Sequence, residues 1–352
     1  MKITEAILTG PNTIELQNHD VPLLNDDELL VEVSVCGVCS SEFPVLRGEV
    51  QGKCGVSFRY ADYPCFLGHE VSGVVVDKGT AVSQFNIGDR VTGVAYEGSG
   101  FATHVVAPAS MMVKVADNIP LDYALGEPVM AVMNAVRMAE PELGDQALLV
   151  GDGFMSLMTV AALSQYGLKN IIVTGHHAER LSIAKALGAT TVVNSKDTDA
   201  YWAVRELLDG DDFDRNVTLW KNGVDIAFEY AGKMETLQLC ASLCKPKQRA
   251  KLMMTSFYPE EPFTLGHYLI NRAPSLVPSF PAHSKDVLDD LDRGMWALEQ
   301  GTFQMDKLVT HAFELNNIDA AMAYASGRTD GYIKGIVTPS FDKLETNVRQ
   351  VS

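Results

Sequence analysis

The alternation of apolar and polar residues divides the chain into two kinds of segment. Residues 1 to about 125 carry short runs typical of β-strands, among them ELLVEVSVCGVC, VSGVVVDKG, DRVTGVAY and FATHVVAP, separated by Gly, Asn and Asp residues. This pattern predicts an all-β, barrel-like module. From about residue 145, the runs ALLV, NIIVT and TTVVN alternate with helical stretches such as AERLSIAKALG. Such alternation predicts parallel βαβ units with helices on both faces of a sheet.

The second half of the chain repeats the βαβ pattern and then departs from it. The run VDIAFEY, a helix from about Lys233 to Cys244, and the run AKLMMTS continue the alternation, so a doubly wound sheet is expected. After about residue 280, the predicted helix SKDVLDDLDRGMWALEQG and the strand-like LVTHAF and YIKGIVTP do not extend it clearly. We expect these last segments to return to the first module.

A glycine-rich turn marks the start of the βαβ region. The stretch LLVGDGFMS places Gly151 and Gly153 where a buried strand turns into a helix, and the third small residue of the motif is Ser156. In a dinucleotide site, the first glycine permits the turn, the second lets the backbone approach the pyrophosphate, and the helix N-terminus supplies N–H donors. A glycine pair also fits a turn without a ligand, but the complete strand–turn–helix–strand order favours a dinucleotide site.

The segment VTGHHAERL follows the second predicted strand of this region. A dinucleotide site normally has an acid here, about 20 residues after the glycines, that binds the ribose 2′-hydroxyl. The position holds Gly175, and the absent acid predicts a preference for NADP(H). A solvated loop is the alternative, and a metal site is less favoured because adjacent side chains rarely converge on one ion. The residues that offer donors and positive charge to a 2′-phosphate are His176, His177 and Arg180.

Composition and charge restrict the classes of partner. The chain has 352 residues, of which 47% are hydrophobic and 21% charged, and this fits two globular domains. A formal net charge of −17 repels phosphate backbones and anionic lipid, so we expect a small-molecule substrate and no nucleic-acid or membrane partner. The N-terminal MKITEAILTG lacks the apolar core of a secretory signal, and six cysteines are too few for a disulfide framework. A cytoplasmic location is therefore expected.

Cys39, His69 and Glu127 are candidate ligands for a metal ion in the first module. Cys39 closes the segment CGVC, and His69 stands beside Glu70 in GHEVSGVVVDKGTAV. Thiolate, imidazole and carboxylate match a catalytic zinc site, in which three protein ligands leave a fourth position open. From the residues alone, a histidine beside a glutamate is more often structural, and Cys36 with Cys39 also fits a redox pair. Spacing does not select Glu127.

Together these segments resemble the zinc-dependent medium-chain dehydrogenase/reductase superfamily. Its alcohol dehydrogenase signature, G-H-E-x2-G-x5-[GA]-x2-[IVSAC], is met in full by residues 68–82, and CGVCSSE, IGDRV, GSGFATHVV and YIKGIV also fit. The resemblance covers nearly the whole chain. It implies the α/β class, with a GroES-like, barrel-like catalytic domain at residues 1–128 and 281–352 and a doubly wound Rossmann domain at residues 129–280.

The resemblance also implies roles for single residues. It implies that Cys39 and His69 are zinc ligands and that Glu127, in LGEPVMAVMNAV, is the third ligand, as in the polyol dehydrogenase branch. Glu70 is then a carboxylate that binds the metal or lies next to it. Ser41 stands where the family keeps its proton-relay hydroxyl.

Several departures from the family limit what the resemblance implies. Glu42 stands where the family usually has Asp, so its hydrogen bond to the ligand histidine is expected to differ. Pro44 replaces the relay histidine of some alcohol dehydrogenases, so a proton from Ser41 must leave through cofactor hydroxyls and water. Residues 88–106 hold no cysteine, so the lobe for a structural zinc is missing and one zinc per chain is expected. The other cysteines are expected to be buried thiols, with a second metal site less favoured: Cys36, Cys54, Cys65, Cys240 and Cys244.

The expected function is that of a zinc-dependent, NADP(H)-preferring alcohol dehydrogenase or carbonyl reductase. Its expected substrate is a secondary alcohol, a polyol or a sugar-like compound, and Gly232 joins the expected cofactor-binding residues. Two alternatives stay open: a zinc-free reductase of activated double bonds, and a nucleotide-binding structural protein without activity. By analogy with the family, we expect a homodimer or homotetramer. Fold analogy does not name the substrate.

Overall fold

The structure, a computed structural model, describes most of the chain in regular elements. It describes residues 1–49, 63–95, 100–216, 222–246, 250–256, 258, 267–281, 284–327 and 331–351, without the side chains of residues 267 and 268. The strands are β1 Lys2–Gly10, β2 Thr13–Asp20, β3 Glu28–Gly37, β4 Cys65–Phe66, β5 Glu70–Lys78, β6 Arg90–Val94, β7 His104–Pro108, β8 Met112–Lys114, β9 Gln146–Val150, β10 Asn170–Gly175, β11 Thr191–Asn194, β12 Ile226–Glu229, β13 Lys251–Met254, β14 Ser275–Pro278, β15 Val309–Glu314, β16 Lys334–Thr338 and β17 Arg349–Val351. The helices are α1 Glu42–Leu46, α2 Gly126–Ala139, α3 Phe154–Leu163, α4 Ala178–Ala186, α5 Ala200–Asp209, α6 Met234–Leu243, α7 His267–Arg272, α8 Val287–Glu299, α9 Met305–Leu308 and α10 Ile318–Gly327.

The chain divides into two compact units. The first unit comprises Met1–Met130 and Asp286–Ser352, and the second unit comprises Ala131–Lys285. The first unit holds a mixed sheet in the order β17-β15-β16-β3-β5-β6-β8, with β7 also paired to β3, and a smaller sheet in the order β2-β1-β4. Strand β16, from the segment YIKGIV, pairs antiparallel with β3. The C-terminal segments therefore belong to the first unit.

Strand β3 is the centre of the larger sheet in the first unit. It pairs with β5, β7 and β16, and nearly all its residues are buried. Its partner β5 carries Gly73, where an added Cβ would lie 2.1 Å from the carbonyl oxygen of Glu32. The glycine therefore lets the two strands approach closely, and this pairing brings the ends of both strands to the candidate metal centre.

The second unit is built around a six-stranded parallel sheet in the order β11-β10-β9-β12-β13-β14. Numbered from β9, this is the order 3-2-1-4-5-6 of doubly wound dinucleotide-binding sheets. The central strands β9 and β10 are apolar and buried along most of their length, as expected for parallel strands covered on both faces. The order reverses beside β9, so ligands are expected beyond the carboxyl end of this strand.

Two helices begin at an aspartate whose side chain caps the first turn. The Asp199 carboxylate accepts a hydrogen bond from the N–H of Trp202 at 3.1 Å and begins α5. Asp286 does the same for α8 with the N–H of Asp289, at 3.0 Å. Among the described residues, no helix combines the length and apolar character needed to span a bilayer.

Most of the leftover cysteines are buried in the two cores. Cys54 lies outside the described residues. Cys36 and Cys65 are buried in the first unit, and Cys240 and Cys244 in the second, and all four are free thiols. Burial raises the pKa of the Cys36, Cys240 and Cys244 thiols. These thiols are therefore protonated and poorly nucleophilic.

Candidate metal centre and nucleotide-binding turn

Cys39, His69 and Glu70 lie together in the first unit. Within the described residues, one sulfur, nitrogen or oxygen ligand atom from each lies within 4.8 Å of the others. Cys39 follows the end of β3, and His69 and Glu70 stand at the start of β5. In the antiparallel pairing of these strands, Gly37 is opposite Glu70. The sheet register thus joins two segments that are about thirty residues apart in the chain.

Glu70 is held by a lysine that sequence reasoning missed. The Nζ of Lys334 lies 2.7 Å from Oε1 and 2.6 Å from Oε2 of Glu70, and it also donates to the carbonyl of Val38 at 2.9 Å. Both side chains of the pair are almost fully buried. Burial lowers the pKa of Lys334, but the charges of Glu70 and Cys39 outweigh it and raise the pKa above its ordinary value. Lys334 is therefore charged and fixes the Glu70 carboxylate beside Cys39.

Glu127 lies in the first turn of α2 and is buried. It is not a member of the 4.8 Å group, although it interacts electrostatically with His69 and Glu70. Burial raises the pKa of Glu127 to about 7, with Glu70 and Glu42 adding to the rise and His69 opposing it. The helix start is fixed because the N–H of Gly126 donates to the Thr92 hydroxyl at 2.9 Å.

Glu42 connects the segments that carry the candidate ligands. Its Oε1 accepts from the N–H of Gly68 at 2.5 Å, and its Oε2 accepts from the N–H of Cys39 at 3.3 Å. The same Oε1 lies 3.4 Å from Nδ1 of His69. The carboxylate is buried and bridges two backbone segments as well as facing the histidine. Ser41, one residue before it, donates from Oγ to Sγ of Cys39 at 3.2 Å.

The charges and donor types of this cluster fit a divalent cation. Within the described residues, the cluster holds three buried carboxylates and the Cys39 thiol, and its cationic groups are Lys334 and His69, so acidic groups outnumber basic ones. Burial, with a smaller contribution from Glu70 and Glu42, raises the pKa of Glu127, and a bound cation would favour its charged form. A sulfur, an imidazole nitrogen and carboxylate oxygens form a donor set that suits zinc better than calcium or magnesium.

The glycine-rich turn joins β9 to α3 in the second unit. Gly151 has a φ of +123°, a conformation that favours glycine. An added Cβ at Gly153 would meet no atom within 4 Å, so the backbone there is open to a ligand. Ser156 is buried in the first turn of α3, and its Oγ has no hydrogen-bond partner within the described part of the chain. The N–H of Gly232 donates to the Glu229 carboxylate, at 3.0 Å from Oε1 and 3.1 Å from Oε2.

The carboxylate of Asp152 occupies the end of β10, and sequence reasoning missed it. Its Oδ2 accepts hydrogen bonds from the backbone N–H groups of His176 and His177, both at 2.7 Å, and lies 3.0 Å from the His177 Nδ1. An added Cβ at Gly175 would lie 2.5 Å from the Cβ of Asp152. The only sequence signal was an acid within the GDG turn itself.

Arg180 also contacts Asp152. Its Nη1 lies 3.7 Å from the Oδ1 of Asp152, and its side chain is 7% exposed. His176 is exposed, and the His177 side chain is partly exposed. Burial raises the pKa of Asp152, but hydrogen bonds from His177 and His176 outweigh this and lower it below its ordinary value. The buried carboxylate is therefore ionised at neutral pH.

Two family models match the chain, and the first of them covers Cys39, His69 and Glu70. Residues 25–117 match the alcohol dehydrogenase GroES-like domain, and residues 155–293 match the zinc-binding dehydrogenase domain. The chain belongs to the zinc-type medium-chain alcohol dehydrogenase-like superfamily. Membership of this superfamily confirms the predicted family, the predicted pairing of a GroES-like with a Rossmann-like domain, and the predicted class of oxidoreductase.

Individual members of the superfamily are similar over nearly the whole chain. The sorbitol dehydrogenase of Bacillus subtilis is 26% identical over 370 residues, which cover 95% of this chain and 97% of that protein. A protein assigned as a zinc-binding dehydrogenase from Sinorhizobium meliloti, solved with NADP, has a TM-score of 0.79 at 23% identity, covering 96% of this chain and 100% of its own. An alcohol dehydrogenase from Escherichia coli CFT073, solved with NADH, has a TM-score of 0.79 at 21% identity, covering 96% and 99%. At these identities the structural matches show the shared fold.

Proposed function

We propose that this medium-chain dehydrogenase is a zinc-dependent alcohol dehydrogenase or carbonyl reductase. It transfers hydride between a nicotinamide nucleotide and a secondary alcohol, polyol or sugar-like substrate. The observation that carries the proposal is the group of Cys39, His69 and Glu70 ligand atoms within 4.8 Å of one another. The similarity to a sorbitol dehydrogenase supports a polyol substrate.

We propose Cys39, His69 and Glu127 as the zinc ligands, which is the set that the family resemblance implies; the structure brings the ligand atoms of the first two together. We propose Glu70 as the neighbouring carboxylate, because the Lys334 Nζ donates to its Oε1 and lies 2.6 Å from its Oε2. Glu127, in the first turn of α2, is the proposed third ligand. A zinc ion held by these residues supplies Lewis-acid polarisation of the substrate oxygen, which lowers the pKa of an alcohol.

Ser41 is placed to move the hydroxyl proton. Its Oγ lies 3.2 Å from Sγ of Cys39, so it stands beside the proposed metal ligands. We propose that Oγ accepts the proton of the alcohol during oxidation and returns it during reduction. Pro44 has no titratable side chain that could take this proton onward, so hydroxyl groups of a bound nucleotide or water would have to supply the exit.

The second unit is proposed to bind the nucleotide at the glycine-rich turn. Open space at Gly153 and the N-terminus of α3 suit a pyrophosphate. The sequence-based preference for NADP(H) rests on the absence of an acid at Gly175. The carboxylate of Asp152 beside that glycine weighs against this preference. Gly151, Ser156 and Gly232 stay predicted cofactor residues.

The domain bounds, the oligomeric state and the cellular location stay predictions from the sequence. The proposed domain bounds are residues 1–128 with 281–352 for catalysis and residues 129–280 for the nucleotide. A homodimer or homotetramer and a cytoplasmic location also stay predictions.

A panel of secondary alcohols, polyols and their carbonyl products tests the function. The panel is assayed with NAD(H) and NADP(H), first with the purified protein and then after a chelator has removed the zinc. We expect turnover of at least one alcohol–carbonyl pair, loss of that turnover on zinc removal, and its return when zinc is added. The variant Cys65→Ala, in a buried cysteine that is not a proposed ligand, is the control and should keep the activity.

The two alternatives give different results in the same panel. A zinc-free reductase would reduce activated double bonds and keep its rate after zinc removal. A structural protein would bind nucleotide and turn over nothing. Either result would overturn the proposed function.

A further inference from the structure

We propose that Asp152 sets the choice of nucleotide and makes this dehydrogenase prefer NAD(H) over NADP(H). The inference rests on the proposed function, because it presupposes that the second unit binds a nicotinamide nucleotide. It assigns a specificity role to an acid inside the glycine-rich turn, 24 residues before the histidines that it contacts.

The position of the carboxylate is the first argument. In dinucleotide-binding sheets, the acid that faces the adenosine ribose comes from the end of the second strand, which here is β10. The residue at that end is Gly175, yet a carboxylate is present there, because the N–H groups of the next two residues both donate to Asp152 at 2.7 Å. The negative charge is therefore retained at this edge of the sheet, although it comes from a different strand.

The packing explains why Gly175 carries no acid of its own. A Cβ at this position would lie 2.5 Å from both Cβ and Oδ2 of Asp152. Such a contact is too close for any side chain while Asp152 keeps its place. The absence of an acid at Gly175 thus follows from the presence of Asp152, and it no longer indicates a 2′-phosphate.

Apart from the exposed His176 side chain, the donors expected to bind a 2′-phosphate already contact Asp152. The backbone N–H groups of His176 and His177 donate to Asp152, and the His177 Nδ1 lies 3.0 Å from the same carboxylate. The guanidinium of Arg180 is buried against it, with Nη1 at 3.7 Å. A 2′-phosphate would have to compete with this internal anion and would be repelled by it. The neutral 2′-hydroxyl of NAD(H) meets no such repulsion.

Direct nucleotide binding tests the inference without a known substrate. Dissociation constants of NADH and NADPH are measured by isothermal titration calorimetry for the wild type and for Asp152→Asn. We expect the wild type to bind NADH at least about tenfold more tightly, and the variant to shift the ratio toward NADPH by about tenfold, as expected when one nearby charge is removed. Thermal unfolding of the variant checks that the second unit stays folded.

A matched control separates this effect from a general change of surface charge. Glu179 lies in the first turn of α4, two residues after His177, and is exposed. The variant Glu179→Gln removes the same charge from the same segment but leaves the Asp152 contacts in place. It should change the ratio by less than about threefold, because exposed charges are screened by water and salt.

A second variant moves the acid to the other strand. The double variant Asp152→Gly with Gly175→Asp removes the Cβ that causes the clash and places a carboxylate at the end of β10. We expect the double variant to regain the NADH preference lost in Asp152→Asn. If the single variant does not fold, the nucleotide affinities of the double variant still test the inference.

The outcomes distinguish this inference from the proposed function. A wild type that binds NADPH as tightly as NADH or more tightly would overturn the inference alone, as would an unchanged ratio in Asp152→Asn. Binding of neither nucleotide would overturn the inference and the proposed function together.

Discussion

Lys334 holds both carboxylate oxygens of Glu70, with its Nζ at 2.7 Å from Oε1 and 2.6 Å from Oε2. The two residues are 264 positions apart in the chain, and the pairing of β16 with β3 brings them together. The ion pair therefore connects the C-terminal segment to the start of β5, directly after His69. It also fixes a negative charge next to the candidate zinc ligands.

Removal of the lysine should destabilise the first unit. In Lys334→Met, the buried Glu70 carboxylate loses its cation, and an uncompensated buried charge costs about 3–5 kcal/mol. We expect a clear fall in the unfolding temperature by circular dichroism. The double variant Lys334→Met with Glu70→Gln should recover part of the loss, because no charge is then left alone. A single variant as stable as the wild type would contradict the role assigned to this pair.

Gly37 leaves the space that the Glu70 carboxylate occupies. An added Cβ there would lie 2.0 Å from Oε2 of Glu70. Gly37→Ala should therefore displace a buried carboxylate from Lys334 and cost about 1–3 kcal/mol in the free energy of unfolding. Urea unfolding measures this cost. Gly10→Ala is the control, because its Cβ would meet only the Thr13 hydroxyl at 4.0 Å, and it should be close to neutral.

Glu42 should matter for zinc affinity although it is not a proposed ligand. The change Glu42→Gln replaces one accepting oxygen by an NH₂ group, so either Gly68 or Cys39 loses its acceptor. Partners of metal ligands typically contribute about 10–100-fold to metal affinity, and we expect a loss in this range in a competition titration with a zinc chelator. Glu49→Gln, at an exposed acid of the same segment, should leave the affinity unchanged.

The contacts of Asp152 predict a pH-dependent contribution to stability. Because its pKa is lowered in the folded chain, the stabilisation is fully present above the ordinary value of 3.8 and is lost as the pH falls through the folded value. The difference in unfolding free energy between the wild type and Asp152→Asn should be about 1–3 kcal/mol at pH 6 and should shrink below about pH 3.8. Urea unfolding at several pH values measures it, and a difference independent of pH would count against an ionised Asp152.

Apolar runs in the sequence predicted the buried strands of the second unit. Strands with mostly exposed residues could not be predicted in this way. Strands β9 and β10 are short apolar runs in the sequence and are buried in the sheet. Strands β2 and β14 are mostly exposed and carry no such run, so hydrophobic patterning could not identify them. Their pairing is set by neighbouring strands rather than by their own composition.

The candidate site was predictable where a local motif carried it. Cys39 and His69 stand in short family motifs, and the structure brings their ligand atoms together. Lys334 contacts Glu70, which is 264 positions away in the chain. Asp152 contacts His176, which is 24 positions away. Such contacts depend on strand register and side-chain direction, which no local pattern encodes. The missed acid matters most, because it changes the expected nucleotide.

The zinc content of the purified protein tests the central claim most directly. Elemental analysis is made on the wild type, on Cys39→Ala and on the control Cys65→Ala. We expect about one zinc per chain in the wild type and in the control. We expect little or none in Cys39→Ala, because a site with three protein ligands then keeps only two of them. A wild type that is active without zinc, or a Cys39→Ala variant with undiminished zinc, would contradict it.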